Sequence, residues 1–153
     1  MDYTLFLNPH LMTEIEILNN SQLGFIQNAI YTVAVVINTF IAFRLARVVN
    51  EKNGNMLAKS FVTLYGAIVT FHWIQISSYT ALGISGLAFS LAELKATGVK
   101  LSSASEFYIT NSSAKLSDGY PALAPSVPSI IFASVVFLII VGTTWLKNTS
   151  QKS

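Results

Sequence analysis

From Ser60 to Ala92 the chain reads SFVTLYGAIVTFHWIQISSYTALGISGLAFSLA, a run of 33 residues without a Lys, Arg, Asp or Glu. A helix rises about 1.5 Å per residue, so this run would extend about 50 Å, whereas the hydrocarbon core of a bilayer is about 30 Å thick. Split into a hairpin, it would leave about 16 residues per helix, too few to cross. The expectation is therefore one spanning helix over 60–92, either overshooting the bilayer or broken near Gly83 and Gly86. Composition agrees with a membrane protein: 10% of the chain is charged, against about 25% in water-soluble domains.

Two further spans follow from the same criterion. Leu23 to Phe43 is a charge-free stretch closed by Arg44 and Arg47, and Val127 to Leu146 is another, closed by Lys147. The sequence thus predicts an all-α integral membrane protein with three transmembrane helices, over 23–43, 60–92 and 127–146, in a single membrane domain of 1–153. Residues 1–22 carry Asp2, Glu14 and Glu16 but no Lys or Arg, which is not the basic start of a signal peptide. Leu11, Met12, Ile15 and Leu18 recur there at helical spacing after Asn8-Pro9, so a short surface helix or a polar tail is expected. Residues 47–59 hold an Asn-Gly breaker, and 147–153 form a short polar tail.

Between the second and third spans lies a 93–126 loop rich in Ser, Thr, Ala and Asn. A loop of that length is usually functional, docked or disordered. Its Phe107, Tyr108, Ile109, Tyr120 and Leu123 are too apolar for a free linker, so it is expected to be ordered, in contact with a partner chain. Asn111 begins an Asn-Ser-Ser triplet in this loop, a glycosylation acceptor where the host has that machinery.

Charge predicts the orientation. With three spans, one side receives Arg44, Arg47, Lys52, Lys59, Lys147 and Lys152, and the other receives Lys95, Lys100 and Lys115 with most of the acids. The positive-inside rule then places the N-terminus outside and the C-terminus inside, in a cell membrane or an energy-transducing one. The same topology accounts for the net charge of +2, so no nucleic-acid partner is expected.

His72 is the side chain that asks for an explanation, because an ionisable ring at mid-membrane depth is rare and usually functional. It admits three readings: a hydrogen bond within a helix interface, contact with a heme, pigment or metal, or a place on a proton or ion route. The other histidine, His10, lies in the N-terminal segment, so this chain alone supplies no bis-His heme ligation and no multi-ligand metal set. Any cofactor contact would need a partner's help. Gln75 and Tyr79 follow at three and seven residues and share the His72 helix face.

Small residues mark the candidate packing faces. Ala34, Asn38, Ala42 and Ala46 recur every fourth residue, with Tyr31 seven before Asn38, and Ser77, Ala81 and Ser85 form a second stripe. Small residues at this spacing admit close helix approach, and Asn hydrogen-bonds across it. Tyr31 or Thr32 is expected to meet His72 between the first two helices, and Asn38 to lie level with Tyr65 and Gly66.

There is no Cys, no phosphate-binding glycine loop and no paired carboxylates at membrane depth, so no catalytic set of the chain's own is expected. These features suit a non-catalytic accessory subunit of a larger membrane complex. Such a complex would be an oxidoreductase, of membrane-monooxygenase or respiratory type, or an energy-converting assembly, and its partners other membrane subunits and lipid. The alternatives are a cofactor-contacting subunit using His72, and a small self-associating channel or transporter.

Overall fold

A computed structural model describes residues 12–112 and 115–146. The order of elements is α1 (Glu14–Glu51), α2 (Met56–Ala96), α3 (Ser103–Asn111) and α4 (Val127–Trp145), with a single 3-10 turn at Leu116–Asp118 between the last two. Among the described residues there is no strand. Helices α1, α2 and α4 are each long and apolar enough to cross a membrane. The protein is thus all-helical with three candidate spans.

Each helix begins and ends on identifiable chemistry. Thr13 and Glu16 form a capping box at the start of α1: Glu16 N–H donates to Thr13 Oγ1 (3.3 Å) and Thr13 N–H to Glu16 Oε2 (2.8 Å). The expected start at Asn8-Pro9 lies outside the described residues, and 14–22 is continuous with the span rather than a separate surface helix. At its other end Asn53 adopts φ 49°. Gly54 N–H then reaches Val49 O and Asn53 N–H reaches Asn50 O, which is a Schellman closure with Asn in the left-handed position. Asn55 Oδ1 accepts from Ala58 N–H to open α2, and Ser102 and Ser126 cap α3 and α4.

Of the two alternatives for the 60–92 run, the break near Gly83 and Gly86 does not occur, because α2 is one helix of 41 residues. The glycines instead admit neighbouring rings. A Cβ on Gly83 would lie 3.1 Å from Phe25 Cε1, and one on Gly86 would lie 2.6 Å from the Tyr120 hydroxyl oxygen. The helix ends at Ala96, and two residues on Gly98 has φ 91°, a conformation that glycine adopts without strain.

The chain divides into two compact units. Of the described residues, one gathers 12–27 with those of Thr80–Ala124, and the other gathers Asn28–Tyr79 with 125–146. In the first unit Ile17, Leu87, Leu91, Leu94 and Leu101 form the core, with Phe25 and Ile109 packed on it. The first part of the loop, 93–111, is therefore held by contacts within its own chain. Its first residues extend α2, and α3 is held at its start by Glu14, whose carboxylate accepts from Ser102 N–H and from the hydroxyls of Ser102 and Ser105. Lys95 and Glu106 add an exposed ion pair at 2.6 Å.

In the second unit the core lies along two seams. Ala42, Ala46, Val62, Val136 and Ile140 form one, and Val35, Val69 and Ile76 form the other. Gly66 lets α4 approach α2, since a Cβ there would meet Ile140 Cγ2 at 2.8 Å. Trp73 donates through Nε1 to Thr39 Oγ1 at 2.9 Å, Thr39 in turn donates to Val35 O, and the Trp73 ring meets Phe132 edge-on at 5.2 Å. One residue of α2 thus ties both other spans at a single level. Asn50 Nδ2 donates to the carbonyls of Thr143 and Leu146, satisfying two groups that the end of α4 would otherwise leave open.

Candidate functional site

Polar side chains in an apolar helix must find hydrogen bonds within the protein, because lipid supplies none. Most here use their own helix. Thr32, Thr63, Thr70 and Ser78 each donate to the carbonyl four residues earlier. Among the described residues no buried side-chain nitrogen or oxygen lacks a partner.

His72 follows the same rule in part. Its Nδ1 lies 2.8 Å from Ile68 O. A carbonyl only accepts, so Nδ1 carries the hydrogen, and Nε2 is the ring's remaining polar atom. The side chain is exposed on the surface of the chain, with the Phe71 ring edge-on at 6.3 Å. His72 is twelve residues past Ser60, so it stands about 18 Å along the apolar run.

The expected meeting of His72 with Tyr31 or Thr32 does not occur. Thr32 bonds back to Asn28 O, and Tyr31 is 55% exposed. The reason is rotational. The buried residues Val62, Gly66, Val69, Thr70 and Ile76 mark the face of α2 turned toward the chain's own helices, and His72 stands at its edge with exposed Ile68 and Tyr79. Along the His72 face, Gln75 is half-buried and Tyr79 is exposed.

The stripe on α1 is divided for the same reason. Ala42 and Ala46 are fully buried, while Ala34 and Tyr31 are exposed and Asn38 is half-buried. A four-residue step overshoots the 3.6-residue turn by about 40°, so a long stripe winds off the contact face. The seam that packs is Val35, Thr39, Ala42 and Ala46. Asn38 lies where expected relative to Tyr65: the Tyr65 hydroxyl donates to Asn38 Oδ1 at 2.5 Å. In the second stripe Ser77 and Ser85 are half-buried and Ala81 is exposed, while Ile76, Ser78, Gly86 and Leu87 are the buried neighbours.

Several residues that organise the spans were not singled out by spacing: Thr39, Trp73, Asn50 and Trp145. Trp145 donates through Nε1 to Thr63 Oγ1 at 2.9 Å, and Lys59 Nζ stands 5.5 Å from the centre of the Trp145 ring. A Trp next to a terminal Lys is a sequence-level sign of a membrane boundary.

Among the described residues outside the charge-free spans, Glu14 is the carboxylate with the most donors. Hydrogen bonds from the Ser102 and then the Ser105 side chain hold it below the usual carboxylate range. Among the described residues no three His, Asp or Glu side chains converge to hold a metal ion. We find no match to the chain among protein-family models, curated proteins or solved structures.

Proposed function

We propose that the protein is a small three-span accessory subunit of a larger membrane complex, contributing packing surface rather than a catalytic set. The observation that carries this reading is His72. An imidazole about 18 Å along an apolar helix is exposed on the chain's own surface. Ionisable groups at such depth almost always face protein or a water-filled cavity, so this face calls for cover from another chain. Tyr79 and half-buried Gln75 lengthen the same polar strip. Outside the spans, Phe107 and Tyr120 are each 64% exposed and are further apolar side chains that a partner could cover. The complex is of oxidoreductase type, membrane monooxygenase or respiratory, or an energy-converting assembly. The N-terminus lies outside and the C-terminus inside, on the strength of six basic residues against three.

A second reading is favoured by the tautomer. With Nδ1 committed to Ile68 O, Nε2 is the atom that a partner-held heme, pigment or metal would meet. The test is native purification from the source membrane with identification of co-purifying subunits and an absorbance spectrum of the same sample. Stoichiometric membrane partners support the accessory role, and a visible band that His72→Phe removes moves the assignment to the cofactor reading. A chain that purifies alone and conducts ions in liposomes overturns both in favour of a self-associating channel.

A further inference from the structure

The three long helices differ in length: the charge-free parts of α1 and α4 share both ends, whereas that of α2 shares one end and runs past the other. Helix α4, Val127–Trp145, has 19 residues, about 28 Å, close to one hydrocarbon thickness. It is antiparallel to α2, as three contacts fix: Trp145 with Thr63, Ile140 with Gly66, and Phe132 with Trp73. Continuing that register brings Val127 level with about Ser78 and Tyr79. Helix α1 is antiparallel to α2 as well, through Tyr65 bonded to Asn38, Trp73 bonded to Thr39, and Asn28 Nδ2 donating to Ile76 O. That register puts Arg44 level with Ser60, and Leu23 and Gly24 level with about Thr80. Lys59 over the Trp145 ring sits at the Arg44 end, where a Lys and a Trp together suit a headgroup zone.

We infer that the hydrocarbon layer takes α1 from about Leu23 to Phe43, α2 from Ser60 only to about Tyr79, and the whole of α4. On this assignment the apolar run of α2 is two things in sequence: twenty residues of membrane helix, then a water-side helix from Thr80 to Ala96, about 24 Å long. Glu14 stands nine residues before Leu23, about 13 Å beyond the layer by helix rise. Helix α3, bonded to Glu14 through Ser102 and Ser105, stands in water with it. The side chains agree. The Lys95–Glu106 pair is exposed, and Glu16, Glu93 and Lys100 are exposed too, which lipid tails would not tolerate. Leu87, Leu91 and Leu94 are apolar because they form a core with Ile17 and Leu101, not because they face lipid. This inference stands independently of what complex the chain joins.

The experiment is depth measurement by nitroxide labelling of the full-length chain in nanodiscs of phosphatidylcholine and phosphatidylglycerol. Single substitutions Val33→Cys, Phe71→Cys, Ile84→Cys, Glu93→Cys and Phe107→Cys all place the label at exposed positions, where the fold tolerates it. Collision with oxygen should exceed collision with a nickel chelate at Val33 and Phe71. The order should reverse at Glu93 and Phe107, with Ile84 between them at headgroup depth. Oxygen dominance at Ile84 equal to that at Phe71, or at Glu93, would place the long run in lipid and overturn the assignment. Nickel dominance at Phe71 would overturn it equally, since no part of α2 would then lie in the layer.

Discussion

Tyr65 on α2 donates its hydroxyl hydrogen to Asn38 Oδ1 on α1 at 2.5 Å, while Asn38 Nδ2 donates to Ala34 O in its own helix at 2.8 Å. The Asn side chain thus has both of its polar atoms engaged in a stretch where lipid supplies no partner. Interhelical hydrogen bonds in membranes average about 0.6 kcal/mol, with a maximum of about 1.7. Tyr65→Phe and Asn38→Ala should each lower stability by about that average plus any lost packing. Combined, they should lose less than the sum of the two. Reversible unfolding in detergent or bicelles would measure the cycle, and strict additivity would show that the two side chains do not share an interaction.

Two glycines on α2 should respond differently to alanine. At Gly66 the new Cβ meets the branched Ile140 side chain at 2.8 Å, and at Gly86 it meets the far end of Tyr120 at 2.6 Å. Ile140 is fully buried and cannot swing away, so Gly66→Ala should destabilise by about 1–3 kcal/mol. Part of that loss should return in the Gly66→Ala, Ile140→Ala pair. Gly86→Ala should instead rotate the exposed Tyr120 ring off Phe89, visible as an altered Tyr120 ring signal in NMR with little loss of stability. Equal destabilisation at both sites would contradict this contrast.

Acid should loosen the start of α3 before the spans respond. The Glu14 carboxylate accepts from Ser102 and Ser105, and these bonds lower its pKa from 4.5. A depressed folded-state pKa means that the stabilisation is complete above about 4.5 and declines as pH falls through the lower folded value. Hydrogen exchange of the Ser102–Glu106 amides, corrected for intrinsic rates, should therefore accelerate as pH falls below 4.5. Glu14→Gln should exchange faster at neutral pH and lose that pH dependence. A Glu14→Gln profile that follows the wild type would remove Glu14 from the account of α3.

His72→Phe should leave the isolated chain nearly unchanged, within about 0.5 kcal/mol, as is usual for an exposed position. Its hydrogen bond runs to its own helix at Ile68 O, so no helix contact is lost with it. The informative measurement is on the purified native complex. Loss of subunit association with spectrum and activity intact fits a packing role, and loss of a visible band in an intact complex fits a cofactor role. A large loss of stability in the isolated chain would mean that His72 is part of the internal packing.

Much of the protein is legible along the chain because membrane insertion depends on length and composition alone. The runs at 23–43, 60–92 and 127–146 announce three spans, and helices long and apolar enough to cross cover them. Tyr65 level with Asn38 was also within reach, since helix rise fixes depth. Rotation about the helix axis was not. In a soluble helix the apolar face marks the inside, but lipid is as apolar as a core, so the pattern does not tell inward from outward. Hence His72 and Tyr31, read as facing one another, are both exposed, and the small-residue stripe of α1 buries Ala42 and Ala46 and meets Tyr65 through Asn38 but leaves Ala34 exposed. The tertiary structure decided that α2 continues unbroken past Gly83 and Gly86, because Phe25 and Tyr120 use the space that those glycines leave. It also decided the order in the first part of the 93–126 loop. Ser102 and Ser105 look like linker residues until Glu14, 88 and 91 positions earlier, accepts their hydrogen bonds. A contact so distant in sequence leaves no local pattern, and only the folded chain brings its partners together.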